Sequence, residues 1–139
     1  MRQKTTSIKI KTNKQGLYEF TAPVQAWIRE TGIETGLLTL FCRHTSASLM
    51  IQENADADVV LDLNDFFCAL APEDPLRYRH HNEGADDMPA HLKSALTPVS
   101  LSVPVEGGRA VLGTWQGIYL FEHRARGLER EVVLHILGQ

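Results

Sequence analysis

Apolar residues in this chain recur at two different periods, and the points where one period gives way to the other dictate its fold class. Thr5 to Lys11 alternates, with Ile8 and Ile10 on one face, as a half-buried strand does. Asn13-Lys14-Gln15-Gly16 has turn composition, and Leu17 to Phe20 returns as a second strand. The period then changes. Thr21 is placed to cap a short helix with Pro23 in its first turn, Val24, Trp27 and Ile28 on one side, and a stop at Gly32. Glu34 to Arg43 and Leu49 to Ile51 read as strands. From Ala55 to Leu70 the helical period is clearest, because Val59, Val60, Leu63, Phe66, Phe67 and Leu70 form one broad face. Asn54 is the expected cap, with Asp56 and Asp58 in the first turn, and Ala71 to Pro75 breaks the helix.

Asp87 is the expected cap of a further helix, Met88 to Leu96. Ser100 to Val105 alternates again, Gly107-Gly108 turns into Arg109 to Leu112, and Gly117 to Phe121 and Glu131 to Leu137 complete the strands. About eight strands with about three inserted helices predict an α+β fold, a two-layer β-sandwich-like core in one domain spanning residues 1–139. An apolar fraction of 43% and a charged fraction of 22% fit a packed domain and argue against disorder. A net charge of −3 supplies no basic field for nucleic acid or a membrane surface, and no apolar run reaches spanning length. Cys42 and Cys68 sit in apolar contexts, reading as small core residues; a cytoplasmic protein is expected.

The segment from His80 to His91 departs from this pattern. It holds three imidazoles (His80, His81, His91) and three carboxylates (Glu83, Asp86, Asp87), groups rarely buried without partners. Either it is a solvated loop or ligands converge there. The spacing is too wide for one helical turn, so a helical zinc motif is excluded, but Gly84 permits a bend that would close the set. His44 ends an apolar strand and opens the hydroxyl run Thr45, Ser46 and Ser48, which suits an anion or a merely polar strand face. No nucleophile-elbow pattern surrounds either serine. Glu53 and Asn54 precede the long helix; Glu53 reads as a ligand, a general base or a first-turn carboxylate. In Gly113-Thr114-Trp115-Gln116-Gly117, Trp115 offers a stacking surface or fills a bulge. Arg109, Arg124, Arg126 and Arg130 form a basic set, suited to phosphate or to solvent.

His44-Thr45-Ser46-Ala47-Ser48-Leu49, Glu53-Asn54, Glu83-Gly84-Ala85-Asp86-Asp87-Met88-Pro89-Ala90-His91, Gly113-Thr114-Trp115-Gln116-Gly117-Ile118 and Glu122-His123-Arg124 occur here in the order of the YjbQ family, which the chain resembles over almost its whole length. The resemblance implies an α+β sandwich assembling as a homotrimer, with secondary thiamine-phosphate synthase activity. That reaction joins hydroxymethylpyrimidine diphosphate to thiazole phosphate and releases diphosphate. The family's histidine precedes the Glu-Gly pair by three residues, which selects His80 over His81. His44, His80 and His91 then become the metal ligands, and Glu53, Asp86 and Asp87 the catalytic carboxylates. Thr45, Ser46, Ser48, Asn54, Gly113, Thr114, Trp115, Gln116 and Arg124 become the substrate or anion contacts. The implied cofactor is a divalent metal, zinc by its imidazoles or Mg²⁺ by its diphosphate. The implied partner is a phosphorylated small molecule. The alternative is a trimeric binding or regulatory protein that holds such a metabolite without turnover.

Overall fold

A computed structural model describes residues 1–139. In chain order the elements are β1 (Arg2–Lys11), β2 (Gly16–Glu19), α1 (Thr21–Thr31), β3 (Thr35–Cys42), β4 (Ala47–Glu53), α2 (Ala57–Leu70), α3 (Asp87–Leu96), β5 (Ser100–Glu106), β6 (Arg109–Ala110), β7 (Gln116–Glu122) and β8 (Glu129–Gly138). Five strands form one antiparallel sheet, ordered β1-β8-β3-β5-β6, and three form a second, ordered β2-β7-β4. The α+β class and the two-layer β core are therefore what forms. The alternation seen in the sequence explains why. Leu38, Leu40 and Cys42 of β3 and Val132, Leu134 and Ile136 of β8 face inward, against Leu49, Ile118 and Leu120 of the smaller sheet. Phe20, Val24 and Ile28 bring α1 into the same cluster of 17 buried residues.

The helices start where different caps act. Asp56 caps α2, its side chain accepting from the Asp58 amide at 2.9 Å, so the cap lies two residues beyond Asn54. Asp86 precedes α3 and Asp87 is its first residue. Thr21 is likewise inside α1; its hydroxyl donates to Glu19 and accepts from the Ile118 amide, tying the helix to β7 instead of capping it. Gly32 ends α1 at φ +71°, the left-handed conformation a helix C-terminus favours.

Two apolar surfaces lack cover. α2 has no fully buried residue: Phe67 packs edge-on against Phe121, but Leu61, Phe66 and Leu70 stay exposed, because the helix meets only a narrow sheet. The outer face of the five-stranded sheet carries exposed Leu37, Phe41 and Leu137, and no helix lies over it. No helix is long and apolar enough to cross a membrane.

Candidate metal and anion site

The chain crosses between the two sheets at 43–46, and again at 123–128. α3 lies against the start of β4, beside both crossings. The sequence signals for a site gather here. Gly84, at φ +106°, supplies the bend that carries His80 back toward α3. His80 Nε2 lies 2.6 Å from Asp87 Oδ2, and His91 Nε2 lies 3.0 Å from the same oxygen. One ligand atom from each residue falls within 4.8 Å of the others. His81 points elsewhere, its Nδ1 at 3.0 Å from the Arg79 carbonyl.

His91 is oriented from behind. Its Nδ1 lies 2.8 Å from the Thr45 carbonyl, which can only accept, so Nδ1 carries the proton. In the neutral ring Nε2 is then a bare lone pair, and it faces a carboxylate oxygen. Two acceptors at that distance need a cation between them, either a proton or a metal ion. A backbone carbonyl holding the far nitrogen of an imidazole ligand is the usual outer contact of a metal site. Two imidazole nitrogens and a carboxylate oxygen, with further positions open, suit zinc or a similar transition ion.

Arg124 holds the carboxylates. Its Nη1 donates to Asp87 Oδ1 at 2.7 Å and its Nε to Asp86 Oδ2 at 2.9 Å, while the Ala125 amide also donates to Asp86. Burial pushes the Asp87 carboxyl up, but His80, His91 and Arg124 together bring it below the usual range. Asp86 is depressed in the same sense, chiefly by Arg124 working against burial. Asp86 thus positions Arg124 and the loop, and Asp87 presents one oxygen to both imidazoles.

His91 also lines a cavity of about 830 Å³, with Arg43, His44, Ser46, Ser94 and Arg130 as polar walls and Phe41 and Val99 as apolar ones. His44 belongs to this cavity and not to the ligand cluster. Its Nε2 accepts the Glu131 amide at 2.8 Å, which leaves the proton on Nδ1 and no lone pair for a metal. Burial first and the Arg130 charge second push its basicity down, so the ring stays neutral. Beneath the cavity, Arg130 donates to Glu122 and to the carbonyl and hydroxyl of Ser46, and Thr12 completes the Glu122 shell at 2.6 Å. Its Nη1 makes no bond within the protein.

Ser48 lies deeper, in a directional chain. Thr97 has one hydroxyl proton and gives it to the Lys93 carbonyl at 2.8 Å, so Ser48 must donate to Thr97 at 2.6 Å and accept from His123 Nε2 at 2.9 Å. His123 is therefore the Nε2–H tautomer, and its buried Nδ1 has no partner. Burial, then the Lys93 and Arg130 charges, lower its pKa to about 3.

The remaining expected residues lie at the other end of the smaller sheet. The register sets Ala47 opposite Glu122 but Glu53 opposite Gln116, about 20 Å along the strand. Glu53 Oε2 accepts the Asp56 amide and so serves the start of α2, while Asn54 donates to Glu19 and ties the strand end to β2. Gly113, Thr114, Trp115 and Gln116 form an exposed turn in which Gln116 accepts the Gly113 amide at 2.7 Å. β3, which leads to His44, and β4, which carries Glu53, belong to different sheets, so no strand pairing brings the two residues together. Arg43, Phe41, Ser94 and Lys93 were not singled out from the sequence. Arg130, one of four arginines expected to meet phosphate or solvent, alternates in phase with Val132, Leu134 and Ile136 and is buried.

The two-sheet architecture, five strands against three with three helices, defines one class of protein. Solved structures of that class include hypothetical protein APE1520 from Aeropyrum pernix (TM-score 0.87, 31% identity, 98% of this chain and 99% of that one). TT1486 from Thermus thermophilus is similar (TM-score 0.84, 37% identity, 95% and 99%). The chain belongs to the UPF0047 protein YjbQ-like family, whose profile matches residues 6–139. UPF0047 protein sll1880 of Synechocystis is 53% identical over 138 residues, covering 99% of this chain and 94% of its own. YjbQ of Salmonella typhimurium is 50% identical over 107 residues, 77% of each chain.

Proposed function

We propose that the protein is a metal-assisted transferase of the secondary thiamine-phosphate synthase type, acting on hydroxymethylpyrimidine diphosphate and thiazole phosphate. The observation that carries the reading is that His91 Nε2 and His80 Nε2 both face one Asp87 oxygen, with His91 at the rim of an arginine-lined cavity. His80, Asp87 and His91 would hold the divalent ion, with zinc the better match to the donors. When bound, the ion supplies charge neutralisation for a departing diphosphate.

The chain's own residues do the rest. Arg130, fixed by Glu122, presents a preset cation to phosphate oxygens, and Arg43 adds a second at the cavity mouth. Ser46 and Ser94 offer hydroxyls, while Phe41 and Val99 give a flat ring an apolar wall. No protein nucleophile takes part in this reading; catalysis is electrostatic and positional.

One observation favours a second reading, a trimeric binding or regulatory protein without turnover. Of the catalytic carboxylates the resemblance implies, Glu53 is remote and Asp86 and Asp87 are held by Arg124, and Glu131 beside the cavity is engaged with Arg43 at 2.7 Å. In either reading we place three copies around the uncovered outer sheet face, supported by Leu37, Phe41 and Leu137. Phe41 belongs to that face and to the cavity, which would set the cavity at the subunit boundary. Two free cysteines support a cytoplasmic location.

The test is incubation of the purified protein with both precursors and zinc or Mg²⁺, following thiamine phosphate by fluorescence after oxidation. Turnover by wild type and its loss in His91→Ala is the expected result. Equal rates in the two proteins remove the enzyme reading, and precursor binding without turnover selects the second. Sedimentation equilibrium tests the trimer, with Phe41→Asp expected to release monomers.

A further inference from the structure

Lys93 is 2% exposed, and no carboxylate pairs with it. A buried lysine normally has an oxygen partner for its head group. Here the only hydrogen-bond contact of Nζ is the sulfur of Cys68, at 3.7 Å, across the gap between α2 and α3. No other acceptor lies within hydrogen-bond distance of Nζ. Thr97 spends its proton on the Lys93 backbone carbonyl, and His123 Nε2 serves Ser48. Cys68 is half-buried, so a small oxidant can reach it, and its thiol faces Gln15 Oε1 at 2.9 Å. Cys42, by contrast, is fully buried with the Ala47 carbonyl at 3.6 Å and no amine beside it.

We propose that Cys68 and Lys93 are an oxidative modification site, at which hydrogen peroxide couples Sγ to Nζ as a sulfenamide. In the first step the sulfur takes one oxygen from the peroxide, the O–O bond breaks, and water leaves behind a sulfenic acid. In the second, Lys93 Nζ attacks that sulfur through its lone pair. An S–N bond forms, the S–OH bond breaks, and the hydroxyl departs with an amine proton as a second water. Sulfur is oxidised and peroxide reduced; the protein loses two hydrogens. Two equivalents of an external thiol reverse the link, returning thiol and amine and forming a disulfide. The link joins residues 25 apart in sequence and closes a loop that contains His80, Asp87 and His91. That last consequence rests on the metal-site reading; the link itself does not.

The experiment is peroxide treatment of the full-length protein, followed by intact-mass and peptide mapping and thiol titration after denaturation. The expected product is lighter by two hydrogens and gives one linked peptide pair carrying residues 68 and 93. Its titratable thiols fall from two to one, and excess dithiothreitol restores both. Cys68→Ser abolishes the product, whereas Cys42→Ser retains it. Lys93→Arg stops at a sulfenic acid that a dimedone probe traps. Oxidation of wild-type Cys68 to sulfinic acid with Lys93 still reactive toward acylating reagents would overturn the proposal. So would a linked mass that persists in Cys68→Ser. The wild-type peptide map decides the matter even where Lys93→Arg does not fold.

Discussion

At the Ala47 end of the smaller sheet, polar side chains are stacked two layers deep and leave a buried atom unmatched; at the Glu53 end, exposed side-chain acceptors take local donors. Glu19 takes Thr21 and Asn54, Glu53 takes the Asp56 amide, and Gln116 takes the Gly113 amide. Across the sheet, His91 Nε2 confronts a carboxylate and His123 Nδ1 has nothing. Both ends hold Glu, Asn or Asp, His or Trp, and hydroxyls. What separates a site from a set of turns and caps is polar capacity left over after folding.

The largest test of that contrast is the buried pair. Arg130→Met leaves the Glu122 carboxylate stranded at zero exposure and should cost about 3–5 kcal/mol in urea unfolding. Glu19→Gln at the other end should cost less than about 1 kcal/mol. Equal losses would erase the distinction. Next is the proposed ligand set: His91→Ala should weaken zinc binding by roughly 100-fold or more, and Arg124→Ala, which removes the support of Asp86 and Asp87 but no ligand, by roughly 10-fold. Calorimetric titration of metal-free protein reads both, and unchanged affinity in His91→Ala would sink the assignment.

Smaller in slope, but spread over a wide range, is the pH effect of His123. Its pKa is lowered to about 3 in the fold against about 6.5 when unfolded, so the unfolded chain binds the extra proton first as pH falls. Its contribution is whole above pH 6.5 and is lost between there and about 3, at about 1.4 kcal/mol per unit. The depressed carboxylates Asp86 and Asp87 add acid lability at the lower end. His123→Gln keeps a donor for Ser48 and should flatten the unfolding free energy between pH 6 and about 4. A variant with the wild-type slope would show that His123 is solvated.

Much of this was legible in the residues, for physical reasons that differ by feature. Strand alternation was plain because each strand of the larger sheet buries one face, and the same alternation places Arg130 in phase with Val132 and Glu122 in phase with Leu120. Caps slipped by one or two positions, since Asn54 and Asp56 are chemically near-equivalent as caps and only the backbone turn chooses. The convergence of His80 with His91 follows from Gly84 and α3, both visible in the sequence. The exclusion of His44 was not, because it depends on an amide of β8 that is 87 residues away. Glu53 could have been set apart earlier: it and His44 bracket a single strand, so they leave it at opposite ends.

The smallest expected effect is the sharpest test of the comparison. Trp115 is 62% exposed, in a turn whose own hydrogen bonds do not use its ring. Trp115→Ala should therefore change unfolding free energy by less than about 0.5 kcal/mol, as surface substitutions do. Zinc affinity should not move, since the ligand atoms lie at the far end of the strand. Glu53→Gln should behave alike for metal, because an amide oxygen can still accept the Asp56 N–H. The informative break is selective. If Trp115→Ala leaves stability and zinc binding intact but weakens binding of the phosphorylated precursor more than tenfold, the two ends work on one ligand. With about 20 Å between them in one chain, a second copy must then bring its Trp115 turn to the neighbour's cavity. Mixing Trp115→Ala with His91→Ala subunits would restore binding at the shared boundary in that case, and would restore nothing if each chain's cavity is complete.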